Sequence, residues 1–260
     1  MKKFPLYNKH IIVTNSPGKN RLSQELISRK ARVIDFPMIE ITENKLSGTE
    51  EETIKNLNNY DYISFTSKNG VHYFFNHLKK HNRTFPETLK AMVIGTSTGQ
   101  ELEKHGIQAE IINPGTNSEE LLAYLKKYIN LKGKKILLVQ GNLSSDHLKA
   151  NLSKIANIST ITVYRTTKPE TTNPKVYRLI MEGKYDLITF SSPSAFNNLL
   201  SSSPGRIEQG MLKAACIGKT TADSMREKGY IPQLVAQKPQ PDIFADEIEH
   251  YFFNTKNHKN

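Results

Sequence analysis

The residues best suited to chemistry are small hydroxyl and glycine residues that follow short apolar runs. The run 63–65 leads into Thr66, Ser67, Lys68, Asn69 and Gly70, and the run 93–94 into Gly95, Thr96, Ser97 and Thr98. The run 188–190 leads into Ser191, Ser192, Pro193 and Ser194, and the run 216–217 into Gly218, Lys219, Thr220 and Thr221. A helical pattern follows each of these turns. Small side chains let a ligand approach the backbone. The opening helix adds unpaired N–H groups and the positive end of its dipole, which together suit an anion. Any one of these hydroxyls taken alone also reads as a helix N-cap. Four such turns in two matched pairs favour an anion-binding surface shared by both halves of the chain.

Ordinary catalytic groups are scarce. Thr162-Val163-Tyr164-Arg165-Thr166 ends an apolar segment, and Tyr164 there could donate a proton or hydrogen bond into an interlobe cleft. The same residue also fits a half-buried strand tyrosine. Asp61 and Asp186 precede their strands, so they belong at the opposite end of the sheet and read as structural. His72, His77 and His81 fall on one helical segment, but no third acidic ligand completes a metal site. Ser191 and Ser192 lie outside any G-x-S-x-G elbow. Neither a G-x-x-x-x-G-K-[ST] loop nor G-x-G-x-x-G occurs. No cofactor and no metal are expected.

Composition narrows the partners. With 36 Lys and Arg against 25 Asp and Glu, the net charge is +11, which favours a polyanionic ligand. The lysines come in scattered pairs, such as Lys79-Lys80, Lys126-Lys127 and Lys134-Lys135, rather than one stripe. There is no Trp to interleave with the charge, so a nucleic-acid groove is not expected. The single cysteine, Cys216, excludes an intrachain disulfide. The basic stretch Met1-Lys2-Lys3 is followed by no hydrophobic signal core, and no apolar run approaches a membrane span. A cytosolic protein with no membrane partner is the expectation.

The elements that must position those turns come as an internal repeat. Tyr60-Asp61-Tyr62-Ile63-Ser64-Phe65-Thr66-Ser67 matches Tyr185-Asp186-Leu187-Ile188-Thr189-Phe190-Ser191-Ser192, 125 residues on. Lys9-His10-Ile11-Ile12-Val13 matches Lys134-Lys135-Ile136-Leu137-Leu138 at the same offset. Ala91-Met92-Val93-Ile94-Gly95 matches Ala214-Ala215-Cys216-Ile217-Gly218, 123 residues on, as does Glu103-Lys104-His105-Gly106 with Arg226-Glu227-Lys228-Gly229. Four matches in one order point to a duplicated α/β unit of domain size. Apolar runs at 11–13, 33–36, 62–65, 92–94 and 111–112 read as strands of the first copy. Helical periodicity falls at 21–29, 71–80, 99–105 and 118–128. The second copy has strands at 136–139, 160–164, 187–190, 215–217 and 234–235. Strand-helix alternation predicts α/β units with parallel sheets, flavodoxin-like or Rossmann-like, covered on both faces. Ligands of such sheets bind beyond the carboxyl ends of the strands, where the four turns lie.

The segments 65–71, 94–98, 163–166, 190–195 and 217–222 together resemble the uroporphyrinogen-III synthase family over nearly the whole chain. The resemblance implies two lobes joined by a two-stranded linker. One lobe would hold residues 1–37 and 168–260, the other 42–163, with linker strands at 38–41 and 164–167. It implies a monomeric lyase of haem biosynthesis acting on hydroxymethylbilane, a linear tetrapyrrole polycarboxylate. That substrate loses water, passes through a spiro intermediate, inverts its terminal pyrrole ring and closes to uroporphyrinogen III. Tyr164 would assist departure of the hydroxyl group. Thr66, Ser67, Lys68, Asn69, Gly95, Thr96, Ser97, Gln140, Gly141, Arg165, Ser191, Ser192, Ser194, Gly218, Lys219, Thr220 and Thr221 would bind substrate. Two departures from the family pattern stand out. Thr14-Asn15-Ser16-Pro17 and Gln140-Gly141 each lack an expected arginine, leaving Lys68, Arg165 and Lys219 to compensate. The rival reading is a two-lobed, non-catalytic binding protein for a small polyanion.

Overall fold

The computed structural model describes residues 4–15, 20–113, 118–170 and 173–257. Met1-Lys2-Lys3, Ser16 and Pro17 of the first turn, Thr171 and Thr172, and the side chain of Lys126 lie outside the described residues. In chain order the elements are β1 (His10–Val13), α1 (Arg21–Ser28), β2 (Arg32–Asp35), β3 (Glu40–Glu43), α2 (Gly48–Lys55), β4 (Tyr62–Phe65), α3 (Lys68–Lys80), β5 (Lys90–Ile94), α4 (Thr96–Glu103), β6 (Ile111–Asn113) and α5 (Ser118–Tyr128). There follow β7 (Lys135–Gly141), α6 (His147–Leu152), β8 (Asn157–Thr167), α7 (Pro174–Met181), β9 (Leu187–Phe190), α8 (Pro193–Ser202), β10 (Ala214–Cys216), α9 (Lys219–Arg226), β11 (Leu234–Val235) and α10 (Pro241–Asn257). The chain forms two compact units, Met1–Glu40 with Thr167–Asn260, and Ile41–Thr166.

The first unit has a five-stranded sheet in the order β11-β10-β9-β1-β2, with its strands parallel. Side chains alternate across a strand, so neighbours in sequence enter different layers. Ile12, Ile188 and Cys216 pack with Val176, Ile180, Phe196, Leu199 and Met225 of α7, α8 and α9. Ile11, Val13, Leu187 and Ala215 pack on the other face with Leu22, Leu26, Phe244 and Ile248 of α1 and α10. Each of the buried Val, Leu, Ile, Phe and Met side chains among them stabilises the fold by about 1.5–3 kcal/mol relative to exposure.

The second unit has a six-stranded sheet in the order β3-β8-β7-β4-β5-β6. Ile63, Phe65, Leu137 and Val139 face Val71, Phe74 and Leu78 of α3, and Leu102 of α4. Met92, Ile136 and Leu138 face Leu121 and Leu125 of α5, and Leu148 and Leu152 of α6. The spans 38–41 and 164–167, expected as linker strands, overlap β3 and the end of β8, which are neighbours in this sheet.

The repeat governs strand register. In the first unit Ile11 pairs with Val33 on one side and Leu187 on the other. In the second, Ile136 pairs with Ile158 and Tyr62. Ile136 and Ile158 lie 125 residues after Ile11 and Val33, and Tyr62 lies 125 before Leu187. The two sheets are thus built alike, yet each combines strands from both copies of the repeat. The paired aspartates secure the same joint in each. Asp186 accepts hydrogen bonds from the Lys9 Nζ at 2.6 Å and the His10 N–H at 2.9 Å. Asp61 accepts from the Lys134 Nζ at 2.8 Å and the Lys135 N–H at 2.9 Å.

Candidate functional site

Two of the expected turns are shorter than the sequence pattern implies, because their helices begin earlier. Ser67 caps α3 by accepting the Gly70 N–H at 3.0 Å, so Lys68, Asn69 and Gly70 form its first turn. Gly95, at φ +80°, opens α4 directly, so Thr96, Ser97 and Thr98 are helical. That positive φ is readily adopted by glycine and strained for other residues. In the first unit, Ser192 caps α8 through the Ala195 N–H at 3.2 Å, placing Ser194 within the helix. Gly218 precedes α9, whose first turn holds Lys219, Thr220 and Thr221.

These turns divide into two kinds. At α3 and α8 a serine oxygen already occupies the helix N-terminus, so the capping role is filled. Among the described residues no side chain caps α4 or α9, and none takes the first N–H groups of these helices. Thr96, Ser97, Lys219 and Thr220 are exposed beside those open ends. Thr221 differs from its neighbours. It is buried under α9, as Thr98 is under α4, so its side chain packs inward. Lys219 is exposed but pairs with Asp223 at 2.7 Å. That pairing, with a further bond from Arg226, holds the Asp223 carboxyl below its usual range.

The second unit gathers the group around Tyr164. Its phenol oxygen lies 3.2 Å from Ser67 Oγ. Its ring stacks on Tyr73 of α3, with centroids 6.0 Å apart and planes 24° off parallel. Tyr73 in turn donates its hydroxyl to the Ile41 carbonyl at 2.8 Å. Beneath the ring lies Gly141, at the point where the pairing of β7 with β8 shifts register between Gln140 and Gly141. A Cβ on Gly141 would fall 2.4 Å from the Tyr164 ring, so glycine is required for the ring to lie there. Asn142 fastens the same strand ends, donating to the Thr166 carbonyl at 3.3 Å and accepting the Thr166 N–H at 2.7 Å. Lys68 and Arg165 are exposed, and among the described residues no carboxylate forms an ion pair with either. Thr66, Asn69 and Gln140 are half-buried at the same carboxyl ends of the strands.

The matching corner of the first unit is neutral. Asn15, where the family pattern expects a cation, accepts a 2.6 Å hydrogen bond from Ser191 Oγ. Thr14 is buried and donates to the Thr189 carbonyl at 2.7 Å. Sequence reasoning placed Ser191 as a ligand group; in the structure its hydroxyl hydrogen goes to Asn15.

Sequence reasoning missed Tyr73 and His77 as neighbours of this group. The signal was available in helical spacing, because Tyr73 and His77 are four apart and share one face of α3. His77 does not project outward as a solvated helix residue. It is 4% exposed, and burial holds its imidazole below the usual range, partly offset by Glu43 and by a bond to the Val163 backbone. Among the described residues no group of three His, Cys, Asp or Glu is placed to hold a metal ion. No described helix is long and apolar enough to cross a membrane.

Comparison with known proteins gives these turns a context. The family model for "Uroporphyrinogen-III synthase HemD" matches residues 20–245. Uroporphyrinogen-III synthase of Chlorobaculum parvum is 28% identical over 233 residues, spanning 86% of this chain and 91% of that one. A mutant uroporphyrinogen III synthase from the extremely thermophilic bacterium Thermus thermophilus matches in structure with a TM-score of 0.66 at 14% identity, covering 95% of this chain and 99% of that one. The synthetase of Helicobacter pylori gives 0.60 at 18% identity, with 92% and 98% covered. At these identities the structural likeness speaks for the fold alone.

Proposed function

The chain belongs to the uroporphyrinogen-III synthase family, and from that membership we propose how its residues serve the family's reaction. It is a cyclising enzyme of tetrapyrrole biosynthesis. The family match across residues 20–245 carries this assignment. The substrate is hydroxymethylbilane, whose many carboxylates suit a chain of net charge +11. The uncapped starts of α4 and α9, with Gly95, Thr96, Ser97, Gly218, Lys219 and Thr220, bind carboxylates through backbone N–H groups and hydroxyls. Thr66, Asn69 and Gln140 add polar contacts in the second unit, and Ser192 and Ser194 in the first. Lys68 and Arg165 supply cations in the second unit, where Gln140 supplies none. The protein acts as a cytosolic monomer with a small-molecule partner.

Tyr164 is the proposed proton donor. The hydroxymethyl C–O bond of the substrate breaks as the phenol proton reaches the departing oxygen, releasing water. The resulting electron-poor carbon is attacked by the substituted α-carbon of the terminal ring, giving the spiro intermediate. The bond from that α-carbon to its original bridge carbon then breaks, and the freed bridge carbon bonds to the ring's unsubstituted α-carbon, which inverts the ring and closes the macrocycle. Loss of a pyrrole-carbon proton at closure balances the proton donated at the start. An intrinsically reactive substrate needs positioning more than strong acid-base groups, which fits a site built from hydroxyls, amides, exposed cations and one phenol.

The test is to supply hydroxymethylbilane and identify the product isomer. Uroporphyrinogen III is expected. Formation of the type I isomer alone, as in buffer, would instead favour a binding protein. Replacing Tyr164→Phe is expected to lower kcat by about 100-fold, the lower range for general-acid catalysis; unchanged turnover would remove the proposed role of Tyr164.

A further inference from the structure

Ser67 occupies a position that carboxylate binding does not explain. A hydroxyl has one hydrogen to donate and two acceptor sites. One acceptor site of Ser67 is taken by the Gly70 N–H at 3.0 Å, and the phenol oxygen of Tyr164 lies 3.2 Å away. Were Tyr164 to donate to Ser67, its proton would be directed into the protein, and that bond would have to break before transfer to substrate. The opposite polarity has no such cost. The Gly70 N–H then donates to Ser67, Ser67 donates to the phenol oxygen, and the phenol hydrogen points away from both.

We propose that Ser67 is a positioning residue of the cyclisation, donating its hydroxyl hydrogen to Tyr164 so that the phenol proton is presented to the departing hydroxyl group. The inference rests on the reading of Tyr164 as proton donor. As the phenol gives up its proton, negative charge grows on its oxygen. A donor aligned with the positive end of α3 becomes stronger at that moment. The surroundings fix the phenol for this purpose. Tyr73 stacks on one side, and Gly141 leaves room for the ring on another. The repeat supplies a contrast. Ser192 caps α8 as Ser67 caps α3, but the residue 125 positions before Tyr164 is Ile39, which has no hydroxyl. The cap is common to both units; the phenol is peculiar to the second.

The experiment measures kcat, KM and thermal midpoint with hydroxymethylbilane for Ser67→Gly, Ser67→Thr, Tyr164→Phe and the double variant Ser67→Gly/Tyr164→Phe. Glycine is nearly as good an N-cap as serine, so helix α3 persists while the hydroxyl is lost. Ser67→Gly is expected to lower kcat about tenfold, the scale of one hydrogen bond, with KM near wild type. Ser67→Thr should restore kcat, and the double variant should be no slower than Tyr164→Phe. If Ser67→Gly melts early, Ser67→Asp provides a capped comparison: it has no hydrogen to give, so kcat at saturation should stay low with stability recovered. A raised KM at unchanged kcat would make Ser67 a substrate ligand instead. Multiplying losses in the double variant, or no rescue by threonine, would equally overturn the proposal. Wild-type kcat in Tyr164→Phe would show that the reading of Tyr164, rather than its coupling to Ser67, had failed.

Discussion

At the scale of single residues, the chemistry depends on what is missing as much as on what is present. Tyr164 was legible as a candidate because it is a phenol at the end of a strand otherwise poor in reactive groups. The need for glycine at position 141 was not legible. It arises from the shift in pairing of β7 with β8, which brings the Tyr164 ring to where a Cβ would stand. Gly141→Ala is therefore expected to displace the phenol and reduce kcat to the level of Tyr164→Phe, while Tyr164→Phe/Gly141→Ala loses little more. Steady-state kinetics check this; an alanine variant with wild-type kcat would contradict the packing argument. Thr221 teaches the opposite lesson. Its hydroxyl type and its place beside Thr220 made it a ligand candidate, but one helical position turns it about 100° into the core, where it is 3% exposed.

At the scale of elements, caps and strand joints carry two further predictions. Asp61 and Asp186 each tie the start of one strand to its neighbour through a lysine and a backbone N–H. The bond from Lys134 holds Asp61 below its usual pKa. Burial works to raise Asp186, but the Lys9 and His10 bonds outweigh it and leave Asp186 lowered too. A carboxyl lowered by folding stabilises the native state fully above its unfolded pKa of about 3.9, and that stability is lost as pH falls through the folded value. Asp61→Asn and Asp186→Asn should each cost about 1 kcal/mol at pH 7 and flatten the loss of stability below about pH 4. Denaturant unfolding across pH tests both. His77 works in a different window. Burial depresses its folded pKa, so acid charges the unfolded chain first. Stability should therefore fall as pH drops below about 6.5, levelling once the folded-state pKa is passed. A His77→Asn variant should show a smaller drop in melting temperature between about pH 7.5 and about pH 5.5, the range that brackets an ordinary histidine; an equal drop would assign the effect to other groups. Helix α2 shows how such signals can go unread. Ser47 and Glu50 form a reciprocal capping box, and the S-x-x-E spacing was visible, but its weakly apolar face gave no periodicity to notice.

At the scale of the whole molecule, the duplicated sequence and the folded units partition the chain differently. β1 and β2 of the first copy join β9, β10 and β11 of the second, while β4, β5 and β6 of the first join β7 and β8 of the second. A fragment of residues 40–167 contains every strand of the six-stranded sheet and both of its helix layers, so it should fold cooperatively alone. A fragment of residues 1–125, one repeat by sequence, would carry parts of two sheets and complete neither. Circular dichroism and amide dispersion should find the first folded and the second largely unfolded. A stably folded 1–125 fragment would show that the repeat can pair with itself.

By itself the sequence determined the strand-helix alternation, the duplication, the positions of the four turns and, through its motifs, the family. Those features are local: apolar spacing, glycine and hydroxyl placement, and segments repeated at a constant offset. Tertiary structure alone decided which strands pair, which hydroxyls face solvent, and that Tyr164 meets Ser67 from 97 positions away. The reason is physical. Matched copies offer equivalent hydrophobic faces and equivalent registers, so local pattern cannot distinguish pairing within a copy from pairing between copies. Only the three-dimensional arrangement fixes that choice, and with it the surroundings of the phenol.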